Sequence, residues 1–460
     1  MNARQLEVRI NDQLLGHLRE ENDLWQFDYA EPWAASADAF DLSPALPRSQ
    51  RLHADGASLR PVQWYFDNLL PEEALRDVIA KEAGLKTEDA FGLLAYFGAE
   101  SAGSLVLREP GNDAPIEYGL KPLSLADLNM RILNLPSISL TRDAPKHMSL
   151  AGAQHKMLVV FKRGKLFEPL AGTPSPHILK PDHPGDYPAS VMNEYFTMRL
   201  AAALGLEVPP VYRLYAPQPV YIIERFDRIA TNTKSEKNSA MAAKANIANI
   251  ADAADNVQRV HIVDTCQLLN KARNFKYSAA HLETLAQAIA CCRSKAAARM
   301  QLYRWLVFNI LVGNGDNHLK NISFRVGAAG INVAPAYDLL STAVYDTAAL
   351  ADERARWPDT PLAFSVGDTR TFADVRRGHI LDAASALGLN KATALRELER
   401  MLKATPMAAD KLVAEIENSI GKAVDICPDP GTARTIAAGE LRMLRAIRHI
   451  VIAGMCGQLV

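Results

Sequence analysis

The sequence predicts an α+β fold with a small N-terminal α+β unit, a lobe of mixed strands and helices, and a mostly helical C-terminal lobe. Three observations carry this expectation. Strand and helix signals alternate as far as Phe226, apolar residues at helical spacing dominate from Lys295 onward, and a polar, repetitive stretch separates the two regions. The expected boundaries are 1–110 for the N-terminal unit, 111–228 for the strand-rich lobe, 229–258 for the repetitive insertion and 259–460 for the helical lobe.

Val8-Arg9-Ile10 and Leu14-Leu15-Gly16-His17-Leu18 flank Asn11-Asp12, a turn signal between strands. Trp25, Phe27 and Tyr29 alternate with polar residues, as on a strand with one aromatic face. Helical patterns follow over Glu72 to Ala83 and Thr87 to Phe97, and the aromatics of Trp64-Tyr65-Phe66 read as core. Met157 to Phe161 and Leu166-Phe167 bracket Arg163-Gly164 as a hairpin. Val191 to Leu204 is a helix stopped by Gly205, and Tyr221-Ile222-Ile223 is a buried strand. Thr231 to Val257, rich in Ala, Asn and Ser, reads as a mobile insertion. Beyond it, Lys295 to Val312 is a helix with Met300, Tyr303, Leu306, Val307 and Ile310 on one stripe, and Arg396 to Arg400 reads as a solvated face.

The densest chemistry lies in Asn314-Gly315-Asp316-Asn317-His318-Leu319-Lys320-Asn321, with Asp338 downstream. Ile322, Phe324 and Val326 alternate as a strand, Gly327-Ala328-Ala329-Gly330 supplies a turn, and Ile331, Val333 and Pro335 resume the alternation. A hairpin closed there sets Asn321 opposite Ala336, with Asp338 just beyond the strand end. Phosphoryl transfer from ATP needs a base or orienter for the attacking hydroxyl and oxygen ligands for Mg²⁺. Asp316 fits the first task, and Asn321 and Asp338 fit the second. The same residue types form ordinary turns, so the hairpin context is what gives the run weight.

A net charge of −1 and a pI of about 6.8 leave no general nucleic-acid footprint. The five cysteines contain no Cys-x-x-Cys pair, which suits reduced thiols better than a disulfide frame or zinc site. The N-terminal residues lack the apolar core of a signal peptide, and the apolar run near Ile450 to Met455 is too short to span a bilayer. These features point to a soluble cytoplasmic protein.

Asp-x-His-x-Lys-Asn followed by Pro335-Ala336-Tyr337-Asp338 resembles the HipA family of bacterial serine/threonine kinases, the toxins of HipA–HipB toxin–antitoxin pairs. Trp64 to Pro71, Ser149 to Lys156, Ile178 to Pro181, Asn193 to Phe196 and Glu224 to Arg228 resemble the same family, in its order, and cover most of the chain from Trp64 onward. The resemblance implies a protein-kinase-like bilobal fold that uses ATP and Mg²⁺. It implies a phosphate contact at Lys156 and autophosphorylation, with inactivation, at Ser149. Lys180 would meet the ATP phosphates as a strand-mounted point charge, although a lysine before Pro181 could equally be solvated. Glu194 would orient Lys180 or serve as an N-terminal helix charge. Glu224 and Phe226 would offer main-chain groups to adenine and Asp227 would lie near the ribose; ordinary Arg/Asp ion pairing is the alternative there. His318 is expected beside the nucleotide as a structural partner of the Asp316 loop. His155 stands where the family pattern has an acidic residue. The implied partners are a HipB-like helix-turn-helix antitoxin, DNA only through it, and a translation component such as an aminoacyl-tRNA synthetase as substrate; no membrane is involved. Two other readings stay open: a non-catalytic nucleotide-binding partner in a repressor complex, and a phosphoinositide-like lipid kinase.

Overall fold

The computed structural model describes residues 3–460 apart from 12, 99, 112–116, 143, 146–151, 153, 186, 231–256 and 426–428. Five strands open the chain: β1 (Arg4–Ile10), β2 (Gln13–Glu21), β3 (Leu24–Tyr29), β4 (Leu52–Ala54) and β5 (Leu105–Arg108), in the order β4-β3-β2-β1-β5. Alternation on β3 buries Trp25, Phe27 and Tyr29 together, because successive side chains leave a strand on opposite faces. Of the helices Pro61–Asp67, Glu73–Ala83 and Ala90–Phe97, the first and third meet that face, with Phe66 against Phe27 and Phe91 edge-on to Trp25, and the second packs against the third. The last of these starts later than its apolar pattern suggests. Asp89 caps it by accepting from the Gly92 N–H, and the carbonyl of Thr87 is taken by Arg76.

A second, antiparallel sheet follows, built from β6 (Leu120–Leu123), β7 (Met157–Lys162), β8 (Lys165–Pro169), β9 (His177–Pro181), β10 (Val211–Tyr215) and β11 (Pro219–Glu224). Its order is β10-β11-β9-β7-β8-β6, so β9 is an interior strand between β11 and β7. The helix Ser190–Ala203 packs on it and stops before Gly205, whose φ of +83° is the left-handed geometry of a helix end.

β12 (Arg228–Ala230) and β13 (Val257–Arg259) form a two-stranded ribbon in which Ala230 pairs with Val257. The expected insertion opens from this ribbon; its residues 231–256 lie outside the described residues. β14 (Ile262–Asp264), β15 (Ser323–Gly327) and β16 (Gly330–Val333) make a third sheet. The β15–β16 hairpin pairs Phe324 with Val333 and Gly327 with Gly330, the register expected from its alternation. Asn321 itself sits in a short 3₁₀ turn, Leu319–Asn321, just before the strand.

The helix Lys295–Leu311 is more deeply placed than a single apolar stripe implies. From Leu302 onward nearly every residue except Arg304 is buried, and the helices Leu282–Cys291 and Lys391–Asp425 pack against it. The stretch Arg396–Arg400 is likewise not simply a solvated face. Leu398 is buried, and Glu397 is held by Arg304 at 2.8 Å and Arg400 at 2.7 Å. Val451, Ile452 and Met455 end in the same core, and among the described residues no helix is long and apolar enough to cross a membrane.

The N-terminal unit is clamped to the rest by a buried ion cluster. Glu100, fully buried, accepts from Arg225 at 3.0 Å, Arg228 at 2.6 Å and Arg259 at 2.7 Å. Removing one partner of such a cluster leaves uncompensated buried charge, which costs about 3–5 kcal/mol. Glu100→Ala is therefore expected to lower unfolding free energy by about that much, read from the denaturant midpoint. A loss below about 1 kcal/mol, the level of a surface pair, would contradict it.

Candidate active site

Interior placement of β9 gives Lys180 a rigid mount: Lys180 pairs with Tyr221 on β11, and the preceding Leu179 pairs with Met157 on β7. Its ammonium donates to both carboxylate oxygens of Glu194, at 2.8 and 3.0 Å, and to Asp338 Oδ1 at 2.6 Å. Glu194 is presented by the helix Ser190–Ala203, whose start is fixed where Asp182 accepts from the Val191 N–H at 2.8 Å. One turn in, Asn193 exchanges two hydrogen bonds with the backbone of Ser341, which fastens the segment after Asp338 to the same helix. Asp338 holds a φ of +57°, a left-handed conformation uncommon for a residue with a side chain and frequent at functional sites.

The Asp316 loop is shaped by asparagines. Gly313, at φ +64° and with no room for a side chain against Val451 and Ala343, turns the chain out of the helix Lys295–Leu311. Asn314 Nδ2 then donates to Asn309 Oδ1 at 2.7 Å, and Asn314 Oδ1 accepts from the Asp316 N–H at 3.0 Å. Asn321 Nδ2 closes the loop by donating to the Asp316 carbonyl at 2.9 Å. The Tyr277 hydroxyl donates to the Asp316 carboxylate, and the Tyr277 ring stands edge-on to His318. Asp316 is thus half-buried and bonded, not the exposed loop carboxylate that turn chemistry alone suggests.

The N-terminal unit reaches into the same site. Lys320 Nζ donates to the Asn68 carbonyl at 3.0 Å, to Asn68 Oδ1 at 2.8 Å and to Asp264 at 2.7 Å. Lys276 is held by Glu72 at 2.7 Å and Glu73 at 2.8 Å. Pro71 pairs with Gly152, and the Glu72 N–H donates to the Gly152 carbonyl at 3.4 Å. Gly152 has a φ of +107°, and a side chain there would meet Lys156 Nζ at 2.9 Å, so the glycine lets this ammonium lie across the backbone.

These parts enclose one cavity of about 730 Å³, and Lys156, Lys180, Glu224, Phe226, Asp227, Asp316, His318, Asn321 and Asp338 all line it. Ser149, the expected modification site, lies outside the described residues. Two expected roles are modified by the contacts. The Glu224 N–H already donates to the Pro210 carbonyl, and the Glu224 carboxylate accepts from Tyr212, so this N–H is not open to an adenine. Asp227 accepts from Arg225, Arg228 and the Gly103 N–H, which makes it part of the Glu100 cluster; ordinary ion pairing outweighs the expected ribose contact. Glu72, Tyr277 and Lys320 are site residues that the motif reading passes over. Lys320 lies inside the Asp-x-His-x-Lys-Asn run, and its place there was the available signal; Glu72 and Tyr277 carry none in the local sequence.

Charge balance in the cavity follows from burial and neighbours. Burial pushes the Glu194 carboxyl up to about 7, against the attraction of Lys180. Burial also works against ionised Asp338 and protonated Lys180, but their mutual attraction wins, holding Asp338 below the usual carboxylate range and Lys180 above the usual ammonium range. Burial lowers His155 and His318, which favours the neutral ring in each, although Asp316 pulls His318 the other way. Hard oxygen donors from Asn321 and Asp338 beside two lysines suit a divalent cation bound to a polyphosphate. Any such cation would share Asp338 with Lys180.

A strand lysine held by a helix glutamate, a half-buried loop aspartate and an Asn/Asp oxygen pair define a kinase of α+β architecture. Comparison with known proteins fixes its kind. The HipA-like C-terminal domain family matches residues 148–409, and the HipA N-terminal domain family matches residues 6–108. A protein of Sinorhizobium fredii named as a kinase is 31% identical over 431 residues, covering 90% of this chain and 93% of that protein. The serine/threonine-protein kinase toxin HipA of Shewanella oneidensis is 28% identical over 427 residues, 89% of each. A chain of the solved Shewanella oneidensis HipA–HipB–operator DNA complex superposes with a TM-score of 0.72 at 24% identity, covering 99% of this chain and 100% of that one. The chain belongs to the HipA family.

Lys156 offers a direct test of the electrostatics. Burial, and then the charge of Lys180, bring its ammonium down from 10.5 to about 8. A folded value below the unfolded one means that protonated Lys156 opposes folding; the penalty is full below about 8 and fades as pH rises toward 10.5. Lysine ¹⁵N NMR should show Lys156 titrating near 8, and Lys180→Met should move that midpoint up. A midpoint at the ordinary 10.5 in the unaltered protein would refute the coupling.

Proposed function

We propose that this chain is an ATP- and Mg²⁺-dependent serine/threonine protein kinase that acts as a HipA-like toxin. The observation that carries the reading is Lys180 tied to both Glu194 and Asp338 in the cavity that also holds Asp316. Lys156 and Lys180 would take the phosphates of ATP, and the cavity wall at Phe226 would take its base. Asn321 and Asp338 would hold Mg²⁺, which when bound supplies charge neutralisation at the phosphate oxygens. Asp316 would accept the proton of the attacking hydroxyl, held in place through Asn314 and Asn321. His318 supports the loop from its buried position and is not needed as a base.

The toxin reading rests on kinship: the Shewanella relative is named a kinase toxin, and its solved complex contains HipB and operator DNA. We assign this chain a HipB-like helix-turn-helix antitoxin as partner, cytoplasmic location, and a translation component such as an aminoacyl-tRNA synthetase as substrate. Autophosphorylation at Ser149 would place a charge of about −1.5 to −2 near the nucleotide's own anions and weaken ATP binding. Peptide mass spectrometry after incubation with Mg²⁺-ATP should locate that phosphate, and protein stoichiometrically phosphorylated at Ser149 with full ATP affinity would rule the mechanism out.

Asp316→Asn is expected to lower phosphoryl transfer from labelled ATP by about 10²- to 10⁴-fold, the usual share of a positioned base, with an unchanged melting curve. An active variant sinks the assignment. Asp338→Ala should weaken ATP binding more in the presence of Mg²⁺ than in its absence, by calorimetric titration; equal losses would exclude a metal-ligand role.

A further inference from the structure

The hydroxyl of Tyr277 has no part in the mechanism above, yet it is bonded to the carboxylate on which that mechanism turns. We propose that Tyr277 is a resident pseudo-substrate: its hydroxyl occupies the place from which an acceptor hydroxyl addresses Asp316, and the acceptor must displace it. The inference rests on the reading of Asp316 as the base. A serine or threonine acceptor would offer Asp316 the same chemistry, an O–H donor to a carboxylate oxygen. Tyr277 and Asp316 both line the cavity, so their contact belongs to its wall. Backbone bonds to Asn314 and Asn321 fix the loop from the protein side, so Tyr277 is not needed to hold it.

The ring is placed so that it can leave. Tyr277 is 46% exposed, and Phe275 beside it is 47% exposed. Contacts on the ring are an edge-on approach from His318 at 4.9 Å and the Lys276 ammonium 5.2 Å from its centroid. Lys276 is independently anchored by Glu72 and Glu73, so rotation of Tyr277 would leave that ion pair in place. The phenol also stays a donor: burial and the neighbouring Asp316 charge both raise its pKa. A displaced Tyr277 would join Phe275 as an apolar lip, which suits an acceptor whose hydroxyl is flanked by apolar side chains.

The rival role is orientation of Asp316, and the two separate in kinetics. Tyr277→Phe keeps the ring and removes only the competing O–H. In the full-length protein with labelled ATP and a serine-containing peptide with apolar flanks, KM for the peptide should fall about tenfold, the equivalent of one hydrogen bond to a charged group, with kcat kept. Hydrolysis of ATP without peptide should rise, because water gains the same place. A fall in kcat at constant KM would overturn the proposal and make Tyr277 a positioning residue. A readout independent of turnover is labelling of Asp316 by a water-soluble carbodiimide, followed by peptide mass spectrometry. It should be several-fold faster in Tyr277→Phe, and equal labelling would also overturn the proposal. Asp316→Asn, assayed beside it, tests the base assignment separately: an inactive Asp316→Asn with an unimproved Tyr277→Phe leaves the kinase reading standing and removes this inference.

Discussion

The ammonium of Lys180 is the constraint around which the site is arranged. It joins an interior strand, the helix that begins at Ser190 and the segment that follows the β15–β16 hairpin, through contacts of 2.6 to 3.0 Å to Glu194 and Asp338. Two buried carboxylates this close to one cavity would repel each other and protonate without a cation between them. With Lys180 in place, Asp338 stays ionised and keeps an oxygen available at the cavity. The strands contribute rigidity, the helix contributes a counter-charge, and neither fixes the site alone.

A second set of ion pairs does for the Asp316 loop what Lys180 does for Asp338. Asn68, Glu72 and Glu73 lie on the N-terminal unit, and they hold Lys320 and Lys276 on the helical lobe while Glu72 also touches the backbone of Gly152. A short turn near Pro71 is therefore wedged between the loop carrying Lys156 and the loop carrying Asp316. The N-terminal unit is part of the scaffold of the cavity, and its own hydrophobic core, built on Trp25, Phe27 and Phe66, keeps that wedge in place.

Much of this was legible in the sequence. Periodicity located the β15–β16 hairpin in its register, because a buried face fixes register by alternation. The motif residues converge on one cavity because they are spaced around that hairpin. What could not be read were contacts between distant segments: Glu100 with three arginines, Glu72 with two lysines, Tyr277 with Asp316. Each partner looks like a solvated or turn residue in isolation, since only tertiary packing removes water from it. The same blindness made Arg396–Arg400 read as surface, when Glu397 is buried by partners on a neighbouring helix and on its own.

The ribbon of β12 and β13 separates chain length from architecture. Ala230 and Val257 are direct cross-strand partners, so the two residues that flank 231–256 lie side by side. Closing a loop whose ends are already joined costs only a slowly growing entropy as residues are added. Evolution, or an engineer, can thus lengthen, shorten or replace that stretch, or graft a fluorescent or affinity module there, without asking the Glu100 cluster or the cavity lined by Lys180 and Asp338 to move.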